Sequence, residues 1–194
     1  MTTSTENPWR WVPTIYFGTG TAQAAIATLA LLLYKQLGLG NAEITLYTGC
    51  LFLPWLLRPL WSPFLGLIRA PRWWLVAMQL MLGVALGGVA FTIPTAHWLQ
   101  GTLFFLGLLA FVLAVHETEA DVFYRDTVAR TTRSGLSGMP GTFRLLAFIF
   151  VQGFLVMVAG NLQLLYRNSI SLSWSLIFYS VAGIFILSWL WHRT

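Results

Sequence analysis

Six long runs of apolar residues follow one another along the chain, with short polar connections between them. An α-helix needs about 20 apolar residues to cross the hydrocarbon core of a bilayer, and each run has roughly that length. We therefore expect an all-α membrane protein in which residues 1–194 form a single six-helix bundle. The predicted transmembrane helices cover residues 11–34, 44–68, 73–94, 98–123, 141–165 and 170–191.

The longest polar connection, residues 124–140, is predicted to be a loop between the fourth and fifth helices. Lys and Arg residues accumulate in cytoplasmic loops, so their distribution predicts the orientation. The one side carries seven of them: Arg10, Arg69, Arg72, Arg125, Arg130, Arg133 and Arg193. The other side carries only Lys35 and Arg167. This bias predicts that both termini lie in the cytoplasm.

Three prolines lie within the second predicted helix, at Pro54, Pro59 and Pro63. Membrane helices tolerate proline when neighbouring groups satisfy the freed backbone atoms. Two interpretations follow, a helix that bends during a transport cycle and a helix that is merely packed closely. The sequence does not choose between them.

The composition agrees with burial in lipid. Hydrophobic residues make up 57% of the chain and charged residues only 9%, against about 25% charged residues in soluble domains. The net charge of +5 does not indicate nucleic-acid binding, because the basic residues lie between apolar runs and form no polar stripe. The single cysteine, Cys50, permits no internal disulfide. No phosphate-binding glycine loop, zinc-binding histidine pair or nucleophile elbow is present, so we expect no enzyme, cofactor or metal site.

The densest chemical signal is HETEADVFYRD, residues 116–126, at the end of the fourth helix. Glu117, Asp121 and Arg125 are spaced i, i+4 and i+8, which places them on one stripe of a helix. Ionisable groups at membrane depth usually face a bundle interior or an aqueous cavity. Such a stripe can carry protons or hold a gate. The alternative is a helix end that already lies in the headgroup region.

Two further arginines lie within predicted helices. Arg58, in LPWLLRPLWSP, either takes part in the pathway or extends its side chain to the cytoplasmic interface. Arg144 begins the fifth helix and is expected to pair with an acid of the fourth, Asp121 before Glu117, because Asp121 lies closer to the connecting loop.

The remaining candidates are neutral polar residues in apolar surroundings. His116 is either a proton relay or a histidine that packs between helices. Three glutamines either line a substrate path or form hydrogen bonds between helices. They are Gln23, Gln79 and Gln152.

Four stretches carry a family resemblance. They are NPWRWVPTIYF (residues 7–17), LPWLLRPLWSPF (53–64), RWWLVAMQL (72–80), and HETEADVFYRD (116–126) followed by TFRLLAF (142–148). In these stretches, and over nearly its whole length, the chain resembles the amino-terminal half of a major facilitator superfamily transporter, more closely an AmpG-type muropeptide permease. The resemblance implies a substrate path between two six-helix halves and proton-driven uptake of cell-wall fragments. It also implies a location in a bacterial inner membrane. Its implied partners are membrane lipid, a small-molecule substrate, and a second six-helix half or a second copy of the chain.

The chain departs from the family pattern in three places. Thr19-Gly20-Thr21-Ala22 stands where the family has Glu-Gly-Leu-Pro, and Gly66 stands where the family has an aspartate. Glu117 replaces an aspartate and keeps its charge. The first two departures remove acids that proton coupling and the cytoplasmic gate would use. Two hypotheses therefore stand, a half-size or truncated transporter and a degenerate, non-transporting membrane paralogue that acts as a scaffold or regulator.

Overall fold

The computed structural model describes residues 11–68, 70–130, 138–167 and 169–193, and this part of the chain is helical and contains no strand. Five of its helices are long and apolar enough to cross a membrane, and a bent sixth segment qualifies if it is counted as one span. The described helices are α1 (Val12–Gln36), α2 (Asn41–Cys50), α3 (Leu53–Leu56), α4 (Arg58–Ile68), α5 (Pro71–Thr92), α6 (Trp98–Arg130), α7 (Met139–Leu165) and α8 (Ile170–Arg193).

The prediction of one continuous helix over residues 44–68 is wrong. Helices α2, α3 and α4 replace it, and the segment bends by 47° between Leu56 and Arg58. Proline has no N–H and its ring clashes with the carbonyl four residues earlier, so a helix is interrupted just before it. The interruptions fall before Pro54 and before Pro59, whereas Pro63 lies inside α4 without a break. The segment is therefore bent at its prolines, and its movement in a transport cycle stays a prediction.

The fourth predicted helix is longer than expected. Helix α6 continues to Arg130, so the predicted loop over residues 124–140 is wrong in its first part. Its 33 residues have a length of about 50 Å, whereas the hydrocarbon core is about 30 Å thick. The polar end of α6 can therefore extend beyond the bilayer without losing its backbone hydrogen bonds. Arg10, Arg69 and Arg133, which contribute to the predicted orientation, lie outside the described residues.

Helix α5 packs against α6 and against α8. Helix α1 packs against α6 and α7. A β-carbon at Gly20 would lie 2.7 Å from the backbone oxygen of Arg144, so α1 and α7 approach each other too closely for any side chain there. The buried core includes large residues of α1, α5, α6 and α8, among them Leu29, Leu86, Leu109, Trp174 and Phe178.

Two helices contain a wide, π-helical turn. In α1 it covers Ala25–Leu29, and in α7 it covers Phe150–Leu155. The two wide turns contact each other. Gln152 in the second donates a hydrogen bond to the hydroxyl of Thr28 in the first, at 3.0 Å. The irregular parts of α1 and α7 are therefore matched to one another.

The two ends of the described chain lie at the same end of the bundle. The Thr14 hydroxyl in α1 is 2.9 Å from the Nε2 atom of His192 in α8. At the opposite end, neutral side chains from α1, α6, α7 and α8 contact one another; we call this set the neutral cluster, and it consists of Tyr34, Gln36, Thr102, Gln163 and Trp174.

Candidate functional site

The polar stripe predicted on the fourth helix begins inside the bundle. Along α6, every residue from Val112 to Ala120 is buried, including His116 at 0%, Glu117 at 5% and Glu119 at 3% exposure. Surrounding helices thus enclose this part of α6 on all sides. Glu117 therefore lies in the interior of the bundle.

Asp121 lies at the centre of the contacts made by the stripe. Its Oδ1 atom accepts hydrogen bonds from the hydroxyl of Tyr16 at 3.2 Å and from the guanidinium of Arg144 at 3.3 Å. Its Oδ2 atom is 3.7 Å from the guanidinium of Arg58. The predicted pairing of Asp121 with Arg144 is confirmed. The guanidinium of Arg144 also lies over the ring of Tyr16, with 5.0 Å between its central carbon and the ring centroid.

Glu117, one turn before Asp121, has a different partner. Its Oε2 atom accepts a hydrogen bond from the indole N–H of Trp55 at 2.7 Å. Trp55 belongs to α3 and Arg58 begins α4, so the bent segment contacts α6 on both sides of its bend. We call these residues the charged cluster: Tyr16, Trp55, Arg58, Glu117, Asp121 and Arg144.

Several polar atoms near Asp121 are buried without a hydrogen-bond partner among the described residues. They are the Oε1 atom of Glu117, the Nε atom of Arg144 and the Nε2 atom of His116. A buried polar group without a partner costs about 1–3 kcal/mol. A ligand or a water that bonded to these atoms would remove that cost.

His116 and His192 each make a polar contact with a different helix. The Nδ1 atom of His116 is 3.4 Å from the hydroxyl of Thr19, which also bonds to its own helix. His192 in α8 contacts the side-chain oxygen of Gln79 in α5 at 3.0 Å. Gln79 is thus buried between helices, which matches the hydrogen-bonding alternative for this residue.

The other predicted candidates lie outside the charged cluster. Arg125 is exposed, and its Nε atom donates to the main-chain oxygen of Asp121 one turn earlier on the same helix. Gln23 is half-buried in α1, and Gln152 is exposed on α7, where it bonds to Thr28. The structure therefore brings Arg58, Glu117, Asp121 and Arg144 together and leaves the three glutamines dispersed.

Sequence reasoning did not identify Tyr16, Trp55, Glu119 or His192. Tyr and Trp in a membrane helix resemble members of an interfacial aromatic belt, so their sequence positions give no sign of a role in a polar site. Glu119 falls off the i, i+4 stripe although it is as deeply buried as Glu117. Of these residues, Trp55 could have been identified from the sequence, because the N–H of a buried indole usually finds a hydrogen-bond acceptor.

Comparison with protein-family profiles, with curated proteins and with solved structures gave no match for this chain. Its class therefore follows from the fold and the site alone. The chain is a helical membrane protein with five segments that can cross a bilayer, or six if α2–α4 is one bent span. Charged side chains from α4, α6 and α7 meet within it, together with the hydroxyl of Tyr16 from α1.

Proposed function

We propose that the chain is one half of a secondary-active transporter, a six-helix bundle like the amino-terminal half of a major facilitator. The charged cluster is the observation that carries this proposal. Ionisable side chains within membrane-spanning segments are costly, and they mark ion and substrate pathways. The substrate class, muropeptide-like cell-wall fragments taken up with protons, comes from the sequence resemblance.

In this proposal the charged cluster is the gate. Trp55 and Arg58 attach the two sides of the bend between α3 and α4 to Glu117 and Asp121 of α6. Neutralising either carboxylate weakens one attachment and allows the bent segment to change its angle. Alternating access requires such an element with two discrete arrangements.

The proposed partner is a second six-helix half or a second copy of the chain. Only 22% of the most apolar stretch of α7 is buried, against 67% for α1. The exposed surface of α7 includes the polar side chains of Gln152 and Asn161. Because amide groups are poorly accommodated by hydrocarbon, this surface fits contact with protein better than contact with lipid.

We place the chain in a bacterial inner membrane with both termini in the cytoplasm. The contact between Thr14 and His192 supports an even number of crossings, and the basic bias supports the direction. Cysteine accessibility in intact cells tests this in a Cys50→Ser background. Asn41→Cys should react with an impermeant reagent added outside, and Arg125→Cys should not. The reverse pattern would reject the topology.

Uptake measurements test the transport function. Inner-membrane vesicles from cells that express the chain should take up a labelled disaccharide-peptide fragment when a proton gradient is imposed. Glu117→Gln and Asp121→Asn should abolish the uptake. Glu43→Gln should preserve it, because Glu43 is exposed and a glutamine can still accept the hydrogen bond from the Gly40 N–H. Uptake no greater than that of vesicles without the chain would refute the proposal.

A verified monomer, reconstituted without a partner, should show no concentrative uptake, since half of the cavity wall would be missing. Concentrative uptake by that monomer would contradict the partner requirement while leaving the transport function in place.

The second candidate is a non-transporting scaffold or regulator. It is favoured by Thr19, which stands where the resembled family has its acid and is occupied by hydrogen bonds to Ile15 and His116. A scaffold should retain its cross-links to partner proteins in Glu117→Gln and Asp121→Asn variants and show no uptake in either the variants or the wild type.

A further inference from the structure

Two positively charged side chains surround the single negative charge of Asp121. Arg58 and Arg144 approach opposite oxygens of this one carboxylate, at 3.7 and 3.3 Å. Glu117, the nearest other acid of the stripe, takes its hydrogen bond from the indole of Trp55 rather than from a guanidinium. Two cations therefore share a single anionic partner.

The hydrogen-bonding capacity of the two arginines is also largely unused. A guanidinium has five N–H donors in a planar fork, which suits bidentate binding of carboxylate or phosphate. Among the described residues, the contact of Arg58 with Asp121 is too long for a hydrogen bond, and Arg144 makes a single one with a buried Nε atom left over. Each guanidinium contacts a single oxygen of Asp121, so both have N–H groups that can donate to a second acceptor.

The cluster is also open to a ligand. The side chains of Arg58, Asp121 and Arg144 are 31%, 34% and 32% exposed, so a group can reach the guanidiniums from outside the bundle. Stacking on Tyr16 fixes the plane of Arg144, which reduces the entropy that binding would cost.

We propose that Arg58 and Arg144 form a binding site for a phosphate group, whose place Asp121 holds in the absence of the ligand. A phosphate carries more charge than a carboxylate and has enough oxygens to accept from both forks at once. On binding it displaces the Asp121 carboxylate, which keeps the Tyr16 hydroxyl as a donor and gains water on its exposed side. The phosphate belongs either to a lipid headgroup or to a water-soluble molecule. This inference does not depend on transport, because a scaffold could bind the same group.

The test measures thermal unfolding of the full chain in lipid nanodiscs. Inorganic phosphate is titrated into nanodiscs of a galactolipid, which carries no phosphate, at constant ionic strength with chloride as the replaced anion. In a second arm, phosphatidylglycerol replaces part of the galactolipid. A ligand that binds only the folded state raises the midpoint as its concentration rises, and the dependence gives Kd. Stabilisation in the first arm identifies free phosphate, and stabilisation in the second arm alone identifies the headgroup.

Removing an arginine and removing Asp121 should change phosphate affinity in opposite directions, which a merely structural role of these residues would not produce. Arg58→Gln and Arg144→Gln should each weaken binding at least about tenfold, whereas Asp121→Asn should tighten it about tenfold by removing the competing anion. Arg144→Lys serves as the test if the Arg144→Gln variant does not fold. It keeps the positive charge but loses the planar fork of donors, so it should also weaken binding. Lys35→Gln, which removes the same charge at the opposite end of the bundle, should change nothing.

Two results would overturn the site. One is the absence of stabilisation in both arms for wild type and Asp121→Asn alike. The other is equal weakening by Lys35→Gln and Arg144→Gln, because that would reduce the effect to general attraction by net charge. Uptake measurements on the same variants are independent of either result, so failure of the phosphate site and failure of the transport proposal can be told apart.

Discussion

The two ends of the helical bundle both carry polar side chains, but they satisfy them differently. In the neutral cluster, the side-chain oxygen of Gln36 accepts from Trp174 at 2.7 Å and also from Gln163, and Tyr34 bonds to Thr102 at 3.1 Å. These groups carry no charge and bond to one another. In the charged cluster, Glu117 and Arg144 each retain a buried atom without a partner.

The two clusters therefore differ in how completely their polar side chains are hydrogen-bonded to one another. Without a hydrophobic drive between helices, interhelical hydrogen bonds and close packing are what bind membrane helices to one another. The neutral cluster fills this role for α1, α6, α7 and α8. A partly satisfied network of charges contributes little to stability, in contrast to the hydrogen bonds of the neutral cluster.

The largest expected effect comes from moving Arg144 away from the rest of the charged cluster with Gly20→Ala. Gly20→Ala would place a β-carbon 2.7 Å from the backbone oxygen of Arg144 and 2.8 Å from Ala147, so α1 and α7 must move apart. We expect a loss of about 1–3 kcal/mol in unfolding free energy and loss of phosphate stabilisation. Gly160→Ala is the control, because a β-carbon there meets nothing within 4 Å. Equal effects of the two alanines in a denaturing-detergent titration would show that the close approach is unimportant.

The next effect breaks the neutral cluster. Gln36→Leu removes the acceptor of the buried Trp174 indole and should cost about 1–2 kcal/mol, the scale of interhelical hydrogen bonds in membranes. Phosphate stabilisation should be unchanged, because Arg58 and Arg144 lie at the other end. If Gln36→Leu also abolished it, the two clusters would be coupled and the comparison would fail.

A double-mutant cycle tests the pair at the centre of the charged cluster. Asp121→Asn and Arg144→Gln should together cost less than the sum of the two single changes, with a coupling of about 1 kcal/mol. The value is small because both side chains are about one-third exposed, where solvent screens the pair. Asp121→Asn combined with Lys35→Gln should be additive. Additivity in both cycles would remove the ion pair from the proposed gate.

The smallest effect concerns His116. Its ring makes one long contact, 3.4 Å to Thr19, and leaves its other nitrogen unpartnered. Replacing both partners with apolar groups of similar shape, His116→Leu with Thr19→Val, should change the unfolding free energy by less than about 1 kcal/mol. Uptake in the vesicle assay then decides its role, since loss of uptake with unchanged stability would make His116 part of the proton path.

The sequence predicted those features that depend on neighbouring positions in the chain. Glu117 and Asp121 share a helical stripe, and the connection between the fourth and fifth helices brings Arg144 to the same end, so the pairing with Asp121 could be anticipated. The prolines predicted a bend as one of two alternatives. The position and angle of the bend depend on how α3 and α4 pack against α6, which no local pattern contains.

Features that join distant segments escaped prediction. Tyr16 reaches Asp121 across 105 positions, and Trp55 reaches Glu117 across 62. In an apolar helix these aromatic residues look like any others. The end of α6 was missed for a different reason, since the polar composition after Phe123 marks where the bilayer ends and gives no sign of where the helix ends.

The paired wide turns of α1 and α7 constrain how the chain tolerates insertions and deletions. A π-helical turn accommodates one residue more than an α-helical turn, so removing one residue from Ala25–Leu29 would restore regular winding there. The remainder of α1 would then rotate by about 100°, the angle of one residue in an α-helix. Gln36 would leave its partners, and Thr28 would lose its position opposite Gln152. The helical register at one end of the bundle is therefore fixed by irregular winding near its middle.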